Sequence, residues 1–172
     1  MTPNDKVLIE AYSQQKMSRE KLLANYSIDL LTDKQYVITE LEGAMKSKDS
    51  TYMEHAITLL YLSDVTTEFV DILNRLLVYP YHFHHQAITK FIQELKSPKS
   101  IAYIEKVLAT NFDFLKYTAS ENGAIAKWFS WALYSIGTKE SFDIIEKYSN
   151  SSDEGISNEM LYRLQKMSVD NS

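Results

Sequence analysis

The sequence predicts an all-α fold: an α-solenoid of about four helical hairpins with a helical cap at the N-terminus. The main observation is an internal repeat, because the segment 95–106 recurs as 136–147, a separation of 41 residues (136 − 95 = 41). Each copy joins two helical patterns through a short turn, and a period of this size is typical of stacked helical repeats. The composition agrees, since four glycines and three prolines provide little material for the tight turns of an all-β fold.

The first elements are a cap and a hairpin. Residues 5–26 predict two short helices, and their charged side chains suit the polar outer side that the end of a solenoid needs. The hairpin at about 33–62 begins at Thr32, which forms a capping box with the glutamine three residues later. Its second helix has two candidate N-caps, Asp49 and Ser50.

Proline residues place the next two hairpins, at about 64–95 and 98–136. Pro80 ends the first helix of the earlier hairpin, because proline cannot continue the backbone hydrogen-bond ladder. Ser97 and Pro98 then provide an N-cap and a first helical residue for the later hairpin. The boundary between the two hairpins therefore coincides with a joint that the internal repeat also marks.

The last hairpin, at about 139–167, follows a helix that is apolar on nearly every side. That helix ends at Ile136, and a helix without a polar face is expected to lie between neighbours. Gly137 suits the left-handed position that closes a helix, and Thr138 suits the N-cap of the next one. We expect residues 1–172 to form a single domain.

The composition excludes several classes of function. The chain has no cysteine, so it has no disulfide, thiolate nucleophile or cysteine-bound metal. Its net charge of −5 and its isoelectric point of about 5.4 argue against a nucleic-acid-binding protein, which needs a basic surface. The sequence shows neither a signal-peptide pattern nor an apolar run long enough to cross a bilayer. We expect a cytoplasmic protein without a membrane partner.

Familiar catalytic motifs do not occur in the sequence. It contains no glycine-rich phosphate-binding loop, no Gly-x-Ser-x-Gly element, no His-Glu-x-x-His pair and no zinc-ligand spacing. We therefore expect a protein that is not an enzyme and that carries no cofactor and no metal.

Acidic residues outnumber lysines by six to two over the stretch 139–160. Five of them form what we call the acidic ridge: Glu140, Asp143, Glu146, Asp153 and Glu154. The first three follow one side of a predicted helix. Such a surface is most often only solvated, but carboxylates on one side of a helix also attract a cationic partner. If the protein has a charged partner, we expect that partner to be basic and to bind the acidic ridge.

The segment 79–86 contains three histidines among aromatic residues. His82 and His85 are three residues apart, so on a helix they could share a ligand, although a metal site would need a third group. In the other interpretation His84 lies in the core, while His82 and His85 form hydrogen bonds to the aromatic segment 111–118. The structural interpretation is favoured, and His82 and His85 are kept as secondary candidates for binding a partner.

Trp128 and Trp131 permit two interpretations. They could form a stacking platform for a ligand or a base, but their helix is apolar on several sides, which favours packing in the core. A function in nucleic-acid processing would also need a basic groove, and the 18 basic residues show no cluster along the sequence. The tryptophan pair is therefore assigned to the core.

Part of the sequence resembles a known repeat family. Trp131-Ala132-Leu133-x-x-Ile136-Gly137-Thr138-x-Glu140 is similar to the HEAT-repeat consensus, and Leu95-Lys96-Ser97-Pro98 has the same joint. Together with Tyr81-His82-x-x-His85-Gln86 and Phe112-Asp113-Phe114, these motifs make the segment of about 55–167 resemble a small bacterial HEAT-repeat family. Its members are often immunity proteins of polymorphic or contact-dependent toxin systems.

The resemblance implies HEAT-like hairpins and a function in protein–protein interaction. It implies an immunity protein that binds and neutralises a cognate antibacterial toxin by occlusion, with the toxin domain as its partner. The alternatives are a HEAT-type scaffold and a small protein that binds a ligand or a metal through the His82–His85 region. The sequence leaves the oligomeric state open.

Overall fold

The computed structural model describes the backbone of residues 1–170 and the side chains of residues 1–166. This part of the chain forms helices and no strand, so the predicted all-α class is confirmed. Its ten α-helices are α1 (Pro3–Ser13), α2 (Arg19–Asn25), α3 (Lys34–Ser47), α4 (Ser50–Leu62), α5 (Val70–Leu77), α6 (His85–Leu95), α7 (Ile101–Leu108), α8 (Asn122–Ile136), α9 (Lys139–Ser149) and α10 (Glu154–Asp170). None of these helices combines the length and the apolar character needed to cross a bilayer.

The helix ends follow the predicted pattern at α4 and α9, whereas the side chain of Ser97, the N-cap predicted next to Pro98, makes no capping hydrogen bond. The Thr138 hydroxyl accepts a hydrogen bond from a backbone N–H in the first turn of α9 (3.2 Å), and Gly137 has a left-handed φ of 71°. Asp49, one of the two candidates, caps α4. The prediction is also wrong at α3, where the carboxylate of Asp33, rather than Thr32, accepts the first-turn N–H. A carboxylate has the stronger interaction with the positive end of a helix, which favours Asp33.

The chain divides into two compact units, Met1–Ile72 and Leu73–Ser172. In the first unit α3 packs against α4, and α1 packs against both α2 and α4. The buried carboxylate of Asp5 accepts hydrogen bonds from the N–H and hydroxyl groups of Thr2 and Ser27. Whether the two units together form the expected single domain stays a prediction.

The second unit contains two layers of helices. α8 packs against both α6 and α10, so these three lie side by side, while α7 and α9 pack together as the second layer. α8 also contacts α7 and α9, which explains why its sequence is apolar on nearly every side. Its buried residues are Ile125, Ala126, Phe129, Ser130, Ala132, Leu133 and Ile136. Stacked helical hairpins produce two such layers, because each hairpin places one helix in each layer. A solenoid along the whole chain stays a prediction.

α8 and α10 approach each other closely at their first turns, where two glycines face each other. A Cβ added to Gly155 would lie 2.6 Å from the backbone nitrogen of Gly123. A Cβ added to Gly123 would come no closer than 3.5 Å to Gly155. Because backbone atoms cannot move aside as the end of a flexible side chain does, the two positions differ in what they tolerate.

Gly155→Ala is therefore expected to lower the free energy of unfolding by about 1–3 kcal/mol, the usual cost of overpacking. Gly123→Ala is the matched control, because it adds the same methyl group at an ordinary van der Waals distance. Alanine has the higher helix propensity, so this control is expected to be neutral or to stabilise by up to about 1 kcal/mol. Urea unfolding followed by tryptophan fluorescence measures both, and equal destabilisation by the two substitutions would contradict the geometry.

Candidate functional site

An open groove of about 510 Å³ lies between α6 and α8 in the second unit. Its lining combines aromatic, amide and basic side chains: Gln86, Ala87, Thr89, Lys90, Gln93, Lys127, Trp128 and Trp131. Trp131 is 39% exposed, so its assignment to the core is wrong, and Trp128 is only half-buried. The physical reason is that α8 leaves one side open, between its two neighbours in the layer. A large exposed ring in a groove is typical of a contact surface.

A second cavity, of about 350 Å³, lies between α8 and α10. It is lined by Trp131, Tyr134, Tyr162, Arg163 and Lys166. Because Trp131 lines both this cavity and the groove, the two belong to one surface. We call this surface, made of the residues that line the groove and the cavity, the aromatic face.

Arg163 holds the aromatic face in position. It is 1% exposed, and its guanidinium carbon lies 3.9 Å from the centre of the Trp131 ring. Its Nη2 donates hydrogen bonds to Ser130 Oγ at 3.2 Å and to Glu159 Oε1 at 2.9 Å. The buried cation therefore joins α8 to α10 and fixes the orientation of an exposed indole ring.

Three exposed lysines belong to the aromatic face, one on each helix of its layer: Lys90, Lys127 and Lys166. They are 37 and 39 residues apart (127 − 90 = 37; 166 − 127 = 39), which hides them from a search for basic clusters along the sequence. In the folded chain Lys90 and Lys127 line the same groove, and Lys166 lines the neighbouring cavity. The repeat is the signal that could have found them, because Lys90 and Lys127 occupy equivalent positions in 87–91 and 124–128, and stacked repeats place equivalent residues side by side.

The acidic ridge is only partly available to a partner. The Asp143 carboxylate accepts hydrogen bonds from Lys139 Nζ at 2.8 and 3.1 Å. The Asp153 carboxylate accepts a backbone N–H in the first turn of α10 at 3.0 Å and also the side-chain amide of Asn122. Asp143 is nevertheless exposed, as are the other three residues of the ridge, Glu140, Glu146 and Glu154. Binding of a basic partner at the ridge stays a prediction, and these four residues are in a position to provide it, because an exposed ion pair is weak.

His82 and His85 are buried, and their rings stack with centres 3.9 Å apart. His85 Nε2 donates to the Tyr79 carbonyl at 3.0 Å, and its Nδ1 accepts the Tyr117 hydroxyl at 3.0 Å. The predicted hydrogen bond to the segment 111–118 is thus confirmed for His85. For His82 it is wrong, because its Nε2 donates at 2.9 Å to a carbonyl oxygen at the end of α5.

His84 was expected in the core, and this expectation is wrong. α6 begins one residue later, at His85, and His84 is half-buried. The backbone N–H of His84 donates to His82 Nδ1 at 3.0 Å, which stabilises a turn at this point instead of a helix. Burial, with a smaller contribution from the neighbouring His82 ring, lowers the pKa of His85 to about 3. Within the part of the chain that the structure describes, no three His, Asp or Glu side chains are arranged to hold a metal ion.

Comparison with protein-family models, with curated proteins and with solved structures finds no match to this chain. The likeness to HEAT-repeat immunity proteins therefore rests on its sequence motifs alone, and the function that it implies stays a prediction. The aromatic face is the feature of the second unit from which a function can be argued on physical grounds.

Proposed function

We propose that the protein is a protein-interaction module whose contact surface is the aromatic face. The observation that carries this proposal is the exposed ring of Trp131, which Arg163 holds between two open cavities. Tryptophan, tyrosine and arginine provide much of the binding energy of protein interfaces, because they bury a large area at a small cost in side-chain entropy. A ring that is already held in place loses little freedom when a partner covers it.

We further propose that the partner is a cognate antibacterial toxin, which this chain neutralises by occlusion in the cytoplasm as an immunity protein. The support for this part is the resemblance of the segment 55–167 to HEAT-repeat immunity proteins. The exposed acids Glu140, Glu146 and Glu154 would speed the encounter with a basic toxin. The lysines of the aromatic face would contact acidic groups of the same partner.

The alternative of ligand or metal binding through the His82–His85 region has weaker support. Both ring nitrogens of each histidine are within hydrogen-bond distance of a group in the same unit. A metal ion would first have to break these bonds, which makes the region better suited to holding the segment before α6 in place. A scaffold function would use the same contact surface as our proposal and would differ in its partner.

Co-purification with the products of the two adjacent genes tests the immunity function. The tagged protein is expected to retain one of these products. Expression of that product alone is expected to stop bacterial growth, and co-expression of this chain is expected to restore it. If neither neighbouring product binds, and neither is toxic when expressed alone, the immunity function is wrong.

The contact surface is tested by substitution in the captured complex. Trp131→Ala is expected to weaken binding about thirtyfold, because an interface tryptophan commonly contributes 2 kcal/mol or more. The matched control is Leu161→Ala, since Leu161 is 44% exposed on α10 but lines neither the groove nor the cavity. We expect it to change the dissociation constant by about threefold or less, a typical result for a residue outside the hot spot. Isothermal titration calorimetry measures both.

Charge reversals then separate the two candidate surfaces. Lys127→Glu reverses a charge on the aromatic face, and Glu146→Lys reverses one on the acidic ridge. The proposal expects the larger loss from Lys127→Glu. Loss of binding with Glu146→Lys alone, or equal effects of Trp131→Ala and Leu161→Ala, would exclude the aromatic face as the contact surface. Tight binding of a single-stranded oligonucleotide in place of a protein would instead show that the protein-interaction function is wrong.

A further inference from the structure

The cavity between α8 and α10 contains a buried cation with unused hydrogen-bonding capacity. Arginine has five N–H donors, but the two hydrogen bonds that Arg163 donates both come from Nη2. Its Nε is buried without a hydrogen-bond partner among the described residues. A buried polar group without a partner is costly. Because Arg163 also lines the cavity, the two observations together favour a ligand that interacts with this cation.

We infer that this cavity binds a carboxylate group attached to an aromatic ring. Among the side chains that the structure describes, Arg163 and Lys166 bring two positive charges to the site and Glu159 brings one negative charge, a balance of one positive charge (2 − 1 = 1). One positive charge matches a carboxylate better than a phosphate monoester, which carries nearly two negative charges. The planar guanidinium group also has the geometry that pairs with a planar carboxylate.

The side chains that line the cavity indicate the chemistry of the part of the ligand beyond its carboxylate. Trp131, Tyr134 and Tyr162 line it, and their ring centres lie 3.9, 5.6 and 5.5 Å from the guanidinium carbon. Aromatic walls favour a flat apolar group that stacks against them. The volume of about 350 Å³ is at the lower end of the range for ligand cavities, so one ring on a short chain suits it.

This inference rests on the proposed function, because it names the chemistry that one end of the aromatic face recognises. Two sources share that chemistry: the C-terminal aromatic residue of a partner protein, and a free aromatic acid. In both, the carboxylate pairs with Arg163 and Lys166 while the ring lies against Trp131.

NMR titration with small probes tests the inference without the partner. 3-Phenylpropionate is added to ¹⁵N-labelled protein, and the indole N–H signals of Trp128 and Trp131 are followed, assigned with a Trp128→Phe variant. The Trp131 signal is expected to shift with a dissociation constant of roughly millimolar size, as suits a ligand of this few atoms. 3-Phenylpropionamide, which has the same shape without the charge, is expected to bind about tenfold more weakly or not at all. Inorganic phosphate is expected to cause no comparable shift.

Variants connect the binding of the probe to the two cations. Lys166→Gln is expected to weaken the binding of 3-phenylpropionate about threefold to tenfold. Lys90→Gln, which removes a lysine of the neighbouring groove, is the matched control and should leave binding unchanged. Arg163→Lys keeps the charge but loses the planar fork, and it should abolish saturable binding. If that variant does not fold, Lys166→Gln still decides the question, because Lys166 is exposed.

The sources and the outcomes are distinguishable. Tighter binding of N-acetylphenylalanine than of 3-phenylpropionate supports a protein C-terminus as the ligand, and the reverse order supports a free acid. Equal binding of the acid and the amide, or equal effects of Lys166→Gln and Lys90→Gln, would overturn the inference. If a partner is captured through the aromatic face but no probe shifts Trp131, only the inference fails. If the probes bind as expected and no partner is captured, only the proposed function fails.

Discussion

Arg163→Met is expected to lower the free energy of unfolding by about 3–5 kcal/mol, the usual cost of removing one member of a buried ion pair. Methionine fills much of the volume of arginine, but it leaves the carboxylate of Glu159 without its cation. The Glu159 side chain is only 15% exposed, so water compensates poorly for the loss. The exposed ring of Trp131 also loses the guanidinium group that it packs on, and the contact between α8 and α10 weakens.

Urea unfolding followed by tryptophan fluorescence measures this loss in the second unit, because both tryptophans of the chain lie there. Lys166→Met is the matched control on the same helix, and its exposed position predicts a change within about 0.5 kcal/mol. The double variant Arg163→Met/Glu159→Gln should recover at least half of the loss, since no buried charge then lacks a partner. A loss below about 1 kcal/mol for Arg163→Met, well under the range for a buried pair, would show that this ion pair does not stabilise the unit.

The sequence predicts those parts of the fold that depend on the identity of a single residue at a helix end. Gly137 adopts the left-handed conformation that few other residues tolerate, and Thr138 caps the next helix, as their identities predict. The apolar sequence of α8 predicts its position among neighbours. Where two adjacent residues compete, as Thr32 and Asp33 do, the stronger interaction of the carboxylate with the helix end decides, and the sequence pattern alone places the boundary only within one or two residues.

Two carboxylates of the acidic ridge have local sequence signals that predict a structural role for them. Lys139 stands four residues before Asp143, a spacing that favours an ion pair on a helix, and the pair forms. Asp153 stands just before α10, where an aspartate favours the N-cap, and it caps that helix. Asp143 belongs to the predicted binding surface through its helical spacing and Asp153 through the local excess of acidic residues, although each carboxylate has a partner within its own unit.

The aromatic face could not be predicted from local signals, because three helices contribute to it. Lys90 and Lys127 come to line one groove only through the stacking of equivalent repeat positions, and Trp131 becomes exposed only because α6 and α10 leave one side of α8 open. The burial of Arg163 has no signal in the sequence at all, since arginine is mostly exposed in proteins. Glu159 stands four residues before Arg163 on α10, a spacing that favours their ion pair, but Ser130 comes from α8 and becomes a partner only in the folded chain.

Acid is expected to destabilise the second unit through His85. Burial, together with the His82 ring stacked against it, lowers the pKa of His85 to about 3 from an ordinary value of 6.5. Between these two pH values the unfolded chain binds a proton at this residue and the folded chain does not, so acidification favours unfolding. Above pH 6.5 both states are neutral at His85, and its contribution is constant. At 1.36 kcal/mol per pKa unit, the total loss down to pH 3 is on the order of 4 kcal/mol.

His85→Gln is expected to remove most of this dependence on pH. Glutamine cannot reproduce both hydrogen bonds, to the Tyr79 carbonyl and to the Tyr117 hydroxyl, so the variant should be about 1–2 kcal/mol less stable than the wild type near neutral pH. Because only the wild type loses stability through His85 on acidification, a deficit of about 1–2 kcal/mol at 1.36 kcal/mol per pH unit makes the two stability curves cross between about pH 5 and pH 6. The free energy of urea unfolding, measured by tryptophan fluorescence at several pH values, locates the crossing.

The control for this prediction is Phe114→Leu, which changes a ring packed edge-on against His85 at 5.2 Å between centres. It reduces packing but keeps the titrating group, so its stability curve should run below that of the wild type at every pH with nearly the same slope. If His85→Gln instead runs parallel to the wild type, the folded chain accepts the proton as readily as the unfolded chain does. His85 would then be a packed polar residue without any role in the response to acid. A crossing shown by His85→Gln and not by Phe114→Leu would attribute the acid sensitivity to the ring nitrogens of this histidine.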